Sequence, residues 1–90
     1  MALASISTID PEIVEEVDKE LLSSYKHGRK FASLHEAYAV ILEELDEVWD
    51  VTKQKRKHRD AGHLRYELIQ VAAMAIKAIN SMDNFVGGNV

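Results

Sequence analysis

A chain of 90 residues allows one domain with a limited core, and chains of this size often gain stability by associating. It holds no cysteine, which excludes disulfides and thiolate metal sites, and no apolar run approaches the ~18 residues of a membrane span. The formal net charge of -4 argues against a general nucleic-acid surface, which needs excess cations, so any phosphate chemistry requires a divalent ion to bring positive charge.

The opening stretch, MALASISTID, lacks the positive n-region and the apolar length of a secretion signal. The expected setting is the cytoplasm, with no membrane partner. One proline and four glycines are the punctuation of a helical chain.

The first helix is expected after Asp10, a good N-cap, with Pro11 at the first helical position and Glu12 at the positive end of the dipole. Ile13, Val14, Val17, Leu21 and Tyr25 recur on one face, and Gly28 is the expected C-cap. Ser33 and Glu36 form a capping box for the second helix, with Phe31 over its first turn. That helix is expected to run to about Lys57. Its apolar face is read as Leu34, Tyr38, Ile41, Leu42, Leu45, Val48 and Trp49. The opposite side carries Glu36, Glu43, Glu47 and Asp50.

The third helix is expected from about Gly62 to Asn84, capped by Asp60. Leu68, Val71, Ala75 and Met82 make one apolar face, and Ile69, Ala73 and Ile76 a second. An arc of roughly 200° exceeds what one surface helix needs. The fold expected is therefore all-α: one domain over residues 1–90, with two long antiparallel helices completing a four-helix-bundle-like homo-oligomer, such as a homodimer. Residues 1–9 and 86–90 are expected to be flexible tails.

The informative segment is EELDEVWD. Glu44 and Glu47 stand three residues apart and share a face. Their line also holds Ala37, Val40 and Val51, so it borders the buried side. Two carboxylates at such a border repel each other until a proton or a cation relieves them. Glu67, on the next helix with His63, Gln70, Met74 and Lys77 on its side, can face them across an antiparallel groove. Carboxylate and amide oxygens are hard ligands that suit magnesium or manganese. Zinc is disfavoured without a histidine or cysteine cluster.

Glu43-Glu44-Leu45-Asp46-Glu47, followed by Glu67-Leu68-Ile69-Gln70, resembles the E-E-x-x-E and E-x-x-D pair of the MazG-like all-alpha nucleoside triphosphate pyrophosphohydrolases, over roughly residues 33 to 82. The resemblance implies magnesium ligands at Glu44, Glu47 and Glu67. The fourth position departs from the pattern, being Gln70 where the family has aspartate. It implies cleavage of a (deoxy)nucleoside triphosphate to the monophosphate and pyrophosphate. Glu43, or Glu47 itself, would orient the attacking water or take its proton. Lys77 and Lys53 are the candidate cations for the outer phosphates. The rival expectation is a weakened or inactive helical interaction module that keeps the scaffold.

Other features have plainer readings. The run KQKRKHR, residues 53 to 59, is expected to complement a helix C-terminus. His35 and His63 are expected at the surface or in caps. Tyr38 and Trp49 are expected in core or dimer packing, and Met74 as a gap-filler. Tyr25 and Phe31 are candidates for stacking on a base.

Overall fold

The computed structural model describes residues 8–85, so the expected tails at 1–7 and 86–90 lie outside the described residues. The described chain is all-helical, with no strand among those residues. Helix α1 spans Pro11–Lys26, α2 Leu34–Thr52 and α3 Ala61–Asn80. Short 3₁₀ turns follow at Arg56–His58 and Met82–Asn84.

Each helix starts where its cap predicts. The Asp10 carboxylate accepts from the Glu12 N–H at 2.9 Å. Ser33 Oγ accepts from the Glu36 N–H at 3.1 Å, but the returning bond reaches one residue further back, with Glu36 accepting from the Ala32 N–H at 2.7 Å. Asp60 accepts from the N–H groups of Gly62 at 2.9 Å and His63 at 3.1 Å. Such caps contribute about 1 kcal/mol each.

All three C-termini differ from expectation. Helix α1 stops at Lys26, and His27 rather than Gly28 is its cap. The His27 N–H and ring Nδ1 both meet the Ser23 carbonyl, at 3.3 and 3.0 Å, and no described glycine has a positive φ. Helix α2 stops at Thr52 instead of continuing to Lys57. A continued helix would stack Lys53 against Arg56 and Lys57, a destabilising like-charge spacing. Instead Arg59 folds back and donates to the carbonyls of Thr52 at 2.7 Å and Gln54 at 3.1 Å. The cation that serves the negative end of α2 is thus Arg59, and no basic residue occupies the helix's own last turn. Helix α3 stops at Asn80, not Asn84. There Ser81 Oγ donates to the Lys77 carbonyl at 2.6 Å and accepts from the Phe31 N–H at 3.0 Å.

Helix α3 is the centre of the molecule. It packs against both α1 and α2, which scarcely touch each other. Phe31, just before α2, meets Ser81 at the end of α3, so these two helices are antiparallel. Contacts between α1 and α3 pair Glu16 with Arg65, Glu20 with Gln70 and Tyr25 with Asn80, and the rising numbers on both sides make α1 parallel to α3. The core is Val17, Phe31, Ala37, Ile69, Ala73 and Met74, ringed by Ile13, Leu21, Val40, Ile41, Ala72, Ala78 and Phe85.

The inward face of α2 is not the one its large apolar residues suggest. Ala37 and Val51 are buried, whereas Leu34, Tyr38, Leu42, Leu45 and Trp49 are exposed, Tyr38 at 65% and Trp49 at 59%. The fully buried Ala73 on α3 and Ala37 on α2 are small, and small residues allow helices to approach closely. The line through Ala37, Val40, Glu44 and Val51 therefore faces the seam, and it borders the buried side as expected, with Val40 and Glu44 half-buried and Glu47 exposed. On α3 the burial of Glu67, Met74, Lys77 and Ser81 turns a supposed flank into a packed face. Leu68, Ile76, Ile79 and Met82 remain exposed.

Replacing Ser81 by alanine removes the hydroxyl that accepts from the buried Phe31 N–H. A lost partner of this kind costs about 1–3 kcal/mol, so Ser81→Ala is expected to lower the thermal midpoint by at least ~4 °C. Thermal unfolding followed by circular dichroism measures it, and an unchanged midpoint would contradict the role given to Ser81.

Candidate metal centre

Two helices meet at the α2–α3 seam with an acidic side chain on each. Glu44 and Glu47, one turn apart on α2, project toward Glu67 on α3. A carboxylate oxygen from each of the three lies within 4.8 Å of the others. In an octahedron with bonds of ~2.1 Å, neighbouring ligands stand about 3.0 Å apart and opposite ones about 4.2 Å. The observed spacing therefore needs only small side-chain adjustments to close on a divalent ion. The sequence spacing alone brought these three residues together as candidates, and the fold places them side by side.

Burial differs across the cluster. Glu67 is 5% exposed and Glu44 is half-buried, while Glu47 opens to solvent. Among the described residues Glu67 Oε2 is buried with no hydrogen-bond partner, an expensive state for a charged oxygen. Its other oxygen, Oε1, stands 3.4 Å from Nε2 of the exposed His63, one turn earlier. Desolvation first, and then the adjacent Glu47, push Glu67 above the usual carboxylate range, with His63 working in the opposite direction. Glu44 is pushed up to about 7, by burial first and then by Glu47, Glu67 and Glu43. Such a cluster can take up a proton or a cation, and its all-oxygen donor set suits magnesium or manganese.

The remaining candidates lie elsewhere. Glu43 is exposed on the solvent side of α2, next to Glu44. Gln70 lies one turn beyond Glu67, and its amide nitrogen donates to Glu20 on α1 at 2.6 Å. Lys77 is 6% exposed, with its ammonium 5.2 Å from the centre of the Tyr25 ring and 4.9 Å from that of Phe31. Cation–π attraction holds this charge, so neither the lysine nor the buried Phe31 is presented to a ligand in this conformation. Lys53 is paired with Asp50 at 3.1 Å on the surface.

Two residues on the flanks of this region were not singled out from the sequence. Glu20 enters from α1, and only the packing of α1 on α3 brings it to Gln70. Tyr66 has its hydroxyl pushed above its ordinary pKa, first by Glu20 and burial and then by Glu67, Glu44 and Glu47. The one available signal for Glu20 was its position a turn after Glu16, beside the apolar face of α1. His63, expected in a surface or capping role, does supply a capping N–H, but its ring stands beside Glu67.

Apolar concavities lie away from the cluster. One is an open groove of about 380 Å³ bordered by Ile9, Ile13, Val14, Val17, Leu21 and Ile76. It contains none of the three clustered carboxylates. No protein-family model, curated protein or solved structure matches the chain.

The raised pKa of Glu44 has a defined sign. Below about pH 4.5 the carboxyl is protonated in both folded and unfolded chains. Between there and about 7 the unfolded chain releases the proton while the fold retains it, so stability falls as pH rises. In chelator, the thermal midpoint of the wild type is expected to drop by roughly 4–8 °C between pH 5 and pH 8. The slope should be smaller in Glu44→Gln, the remainder coming from Glu67, which burial also pushes upward. Thermal melts across this pH range provide the check, and equal slopes in the two proteins would contradict the crowding at Glu44.

Proposed function

We propose that this chain is a metal-dependent nucleotide pyrophosphohydrolase of the MazG-like kind, cleaving a nucleoside triphosphate to the monophosphate and pyrophosphate. The observation that carries the reading is the convergence of Glu44, Glu47 and Glu67 around a buried glutamate oxygen that has no partner. The resemblance of the two acidic motifs supplies the reaction.

In this reading Glu44, Glu47 and Glu67 hold magnesium, with manganese able to replace it. When bound, the ion neutralises phosphate oxygens and lowers the pKa of a water. Glu47, at the open edge of the cluster, would orient that water and accept its proton; Glu43, exposed on the solvent side of α2, is the second candidate for that role. Gln70 adds no charge, so the centre has three anionic ligands and favours fewer ions than four acids would. Lys53 is the more readily released cation of the two candidates, because its exposed pair with Asp50 is weak. Lys77 reaches a phosphate only after leaving the two rings.

Self-association belongs to the same reading. Leu34, Tyr38, Leu42, Leu45 and Trp49 are exposed and follow one another at steps of four, four, three and four residues. That spacing makes a continuous apolar stripe along α2, suited to a helix of a second copy.

A panel of nucleoside triphosphates with and without magnesium tests the activity. Pyrophosphate release that requires the metal, and that falls at least ~100-fold in Glu44→Gln and Glu47→Gln, is the expected result. Full activity in both variants would refute the site. Metal binding without turnover of any nucleotide would favour the non-catalytic module, a reading consistent with the tie between Gln70 and Glu20. Sedimentation tests the assembly: a dimer or larger species that dissociates in Leu45→Glu is expected, and a wild-type monomer would contradict it.

A further inference from the structure

We infer that Glu20 of α1 is a positioning residue for the carboxylate centre: it pins the Gln70 amide with nitrogen toward α1, so that the carbonyl oxygen is offered on the side of Glu67. This inference rests on the reading of the cluster as a divalent-cation site.

The bond between Gln70 Nε2 and Glu20 Oε2 is 2.6 Å long and partly buried. An ionised carboxylate only accepts hydrogen bonds, so the amide must present its nitrogen to it. A flipped amide would set oxygen against oxygen. The nitrogen end is thereby committed to α1, and the oxygen end is left out of that bond. Gln70 and Glu67 stand three residues apart on α3 and share a face. The amide oxygen, which that bond leaves free, is a neutral hard ligand on the helix face that Gln70 shares with Glu67, whose Oε2 is buried and unpartnered among the described residues. Glu20 thus has two effects: it selects one of two amide orientations, and it restricts a long side chain with several rotatable bonds.

The division of labour differs from a fourth acidic ligand. An aspartate at position 70 would add charge to the ion directly. Gln70 adds only a dipole, and the fourth negative charge stays at one remove, on α1. Partners that orient a metal ligand typically contribute about 10–100-fold to metal affinity.

Calorimetric titration with Mn2+ tests this in the full chain, with circular dichroism as the check on folding. The set is wild type, Glu44→Gln, Glu20→Ala, Glu20→Gln, Gln70→Ala and the Glu20→Ala/Gln70→Ala pair. Glu20→Ala and Glu20→Gln are expected to weaken Mn2+ binding about 10-fold. In the Gln70→Ala background, Glu20→Ala should have little further effect, because its action passes through the amide. Unchanged affinity in both Glu20 variants, or an undiminished loss in the Gln70→Ala background, would overturn the positioning role while leaving the metal centre intact. Wild-type chain that binds no Mn2+, or a Glu44→Gln variant that binds it equally well, would remove the centre and this inference with it.

Discussion

Three carboxylates confined to one helix–helix seam repel one another, and the fold gives one of them, Glu67, almost no water to soften the repulsion. An apolar trio in the same positions would pack without that penalty. The strain has two outlets, a shared proton or a cation, and the raised pKa of Glu44 expresses the first of these. The rest of the structure is arranged around this seam: the small residues that bring α2 and α3 together, the cap that starts α3 close to His63, and the tie from α1 to Gln70.

Helix α3 makes the arrangement possible because it serves two neighbours at once. Its packed line of Glu67, Met74, Lys77 and Ser81 carries polar groups that would be unusual in an ordinary core, and each is handled differently. Ser81 is satisfied by backbone groups at the end of the seam. Lys77 is held by two aromatic rings. Among the described residues Glu67 keeps a buried oxygen without a partner, and this unmet requirement sets the carboxylate cluster apart from Ser81 and Lys77. Because α1 and α2 both lean on α3 and scarcely on each other, a single chain leaves the large apolar residues of α2 uncovered.

The N-caps, the three helices and the acidic trio were legible in the sequence because each depends on short spacings: Asp10 with Pro11, Ser33 with Glu36, Glu44 with Glu47. Helix ends were harder to read, since they depend on groups that return through space. Arg59 closes α2 and Ser81 closes α3 through bonds that linear spacing does not reveal. The inward face of α2 was misjudged for a related reason. Periodicity points to the largest apolar residues, from Leu34 to Trp49, whereas close packing selected Ala37 and Val51. The contribution of Glu20 was invisible, because it depends on α1 lying parallel to α3. Lys77 was correctly placed on the face of Glu67, but its burial between two rings follows from the fold.

Crystals soaked in manganese, measured at a wavelength that excites its anomalous scattering, address the central claim most directly. A peak in contact with oxygens of Glu44, Glu47 and Glu67 together is the expected result. Full occupancy elsewhere on the surface, with the three carboxylates unliganded and protonated, would contradict it.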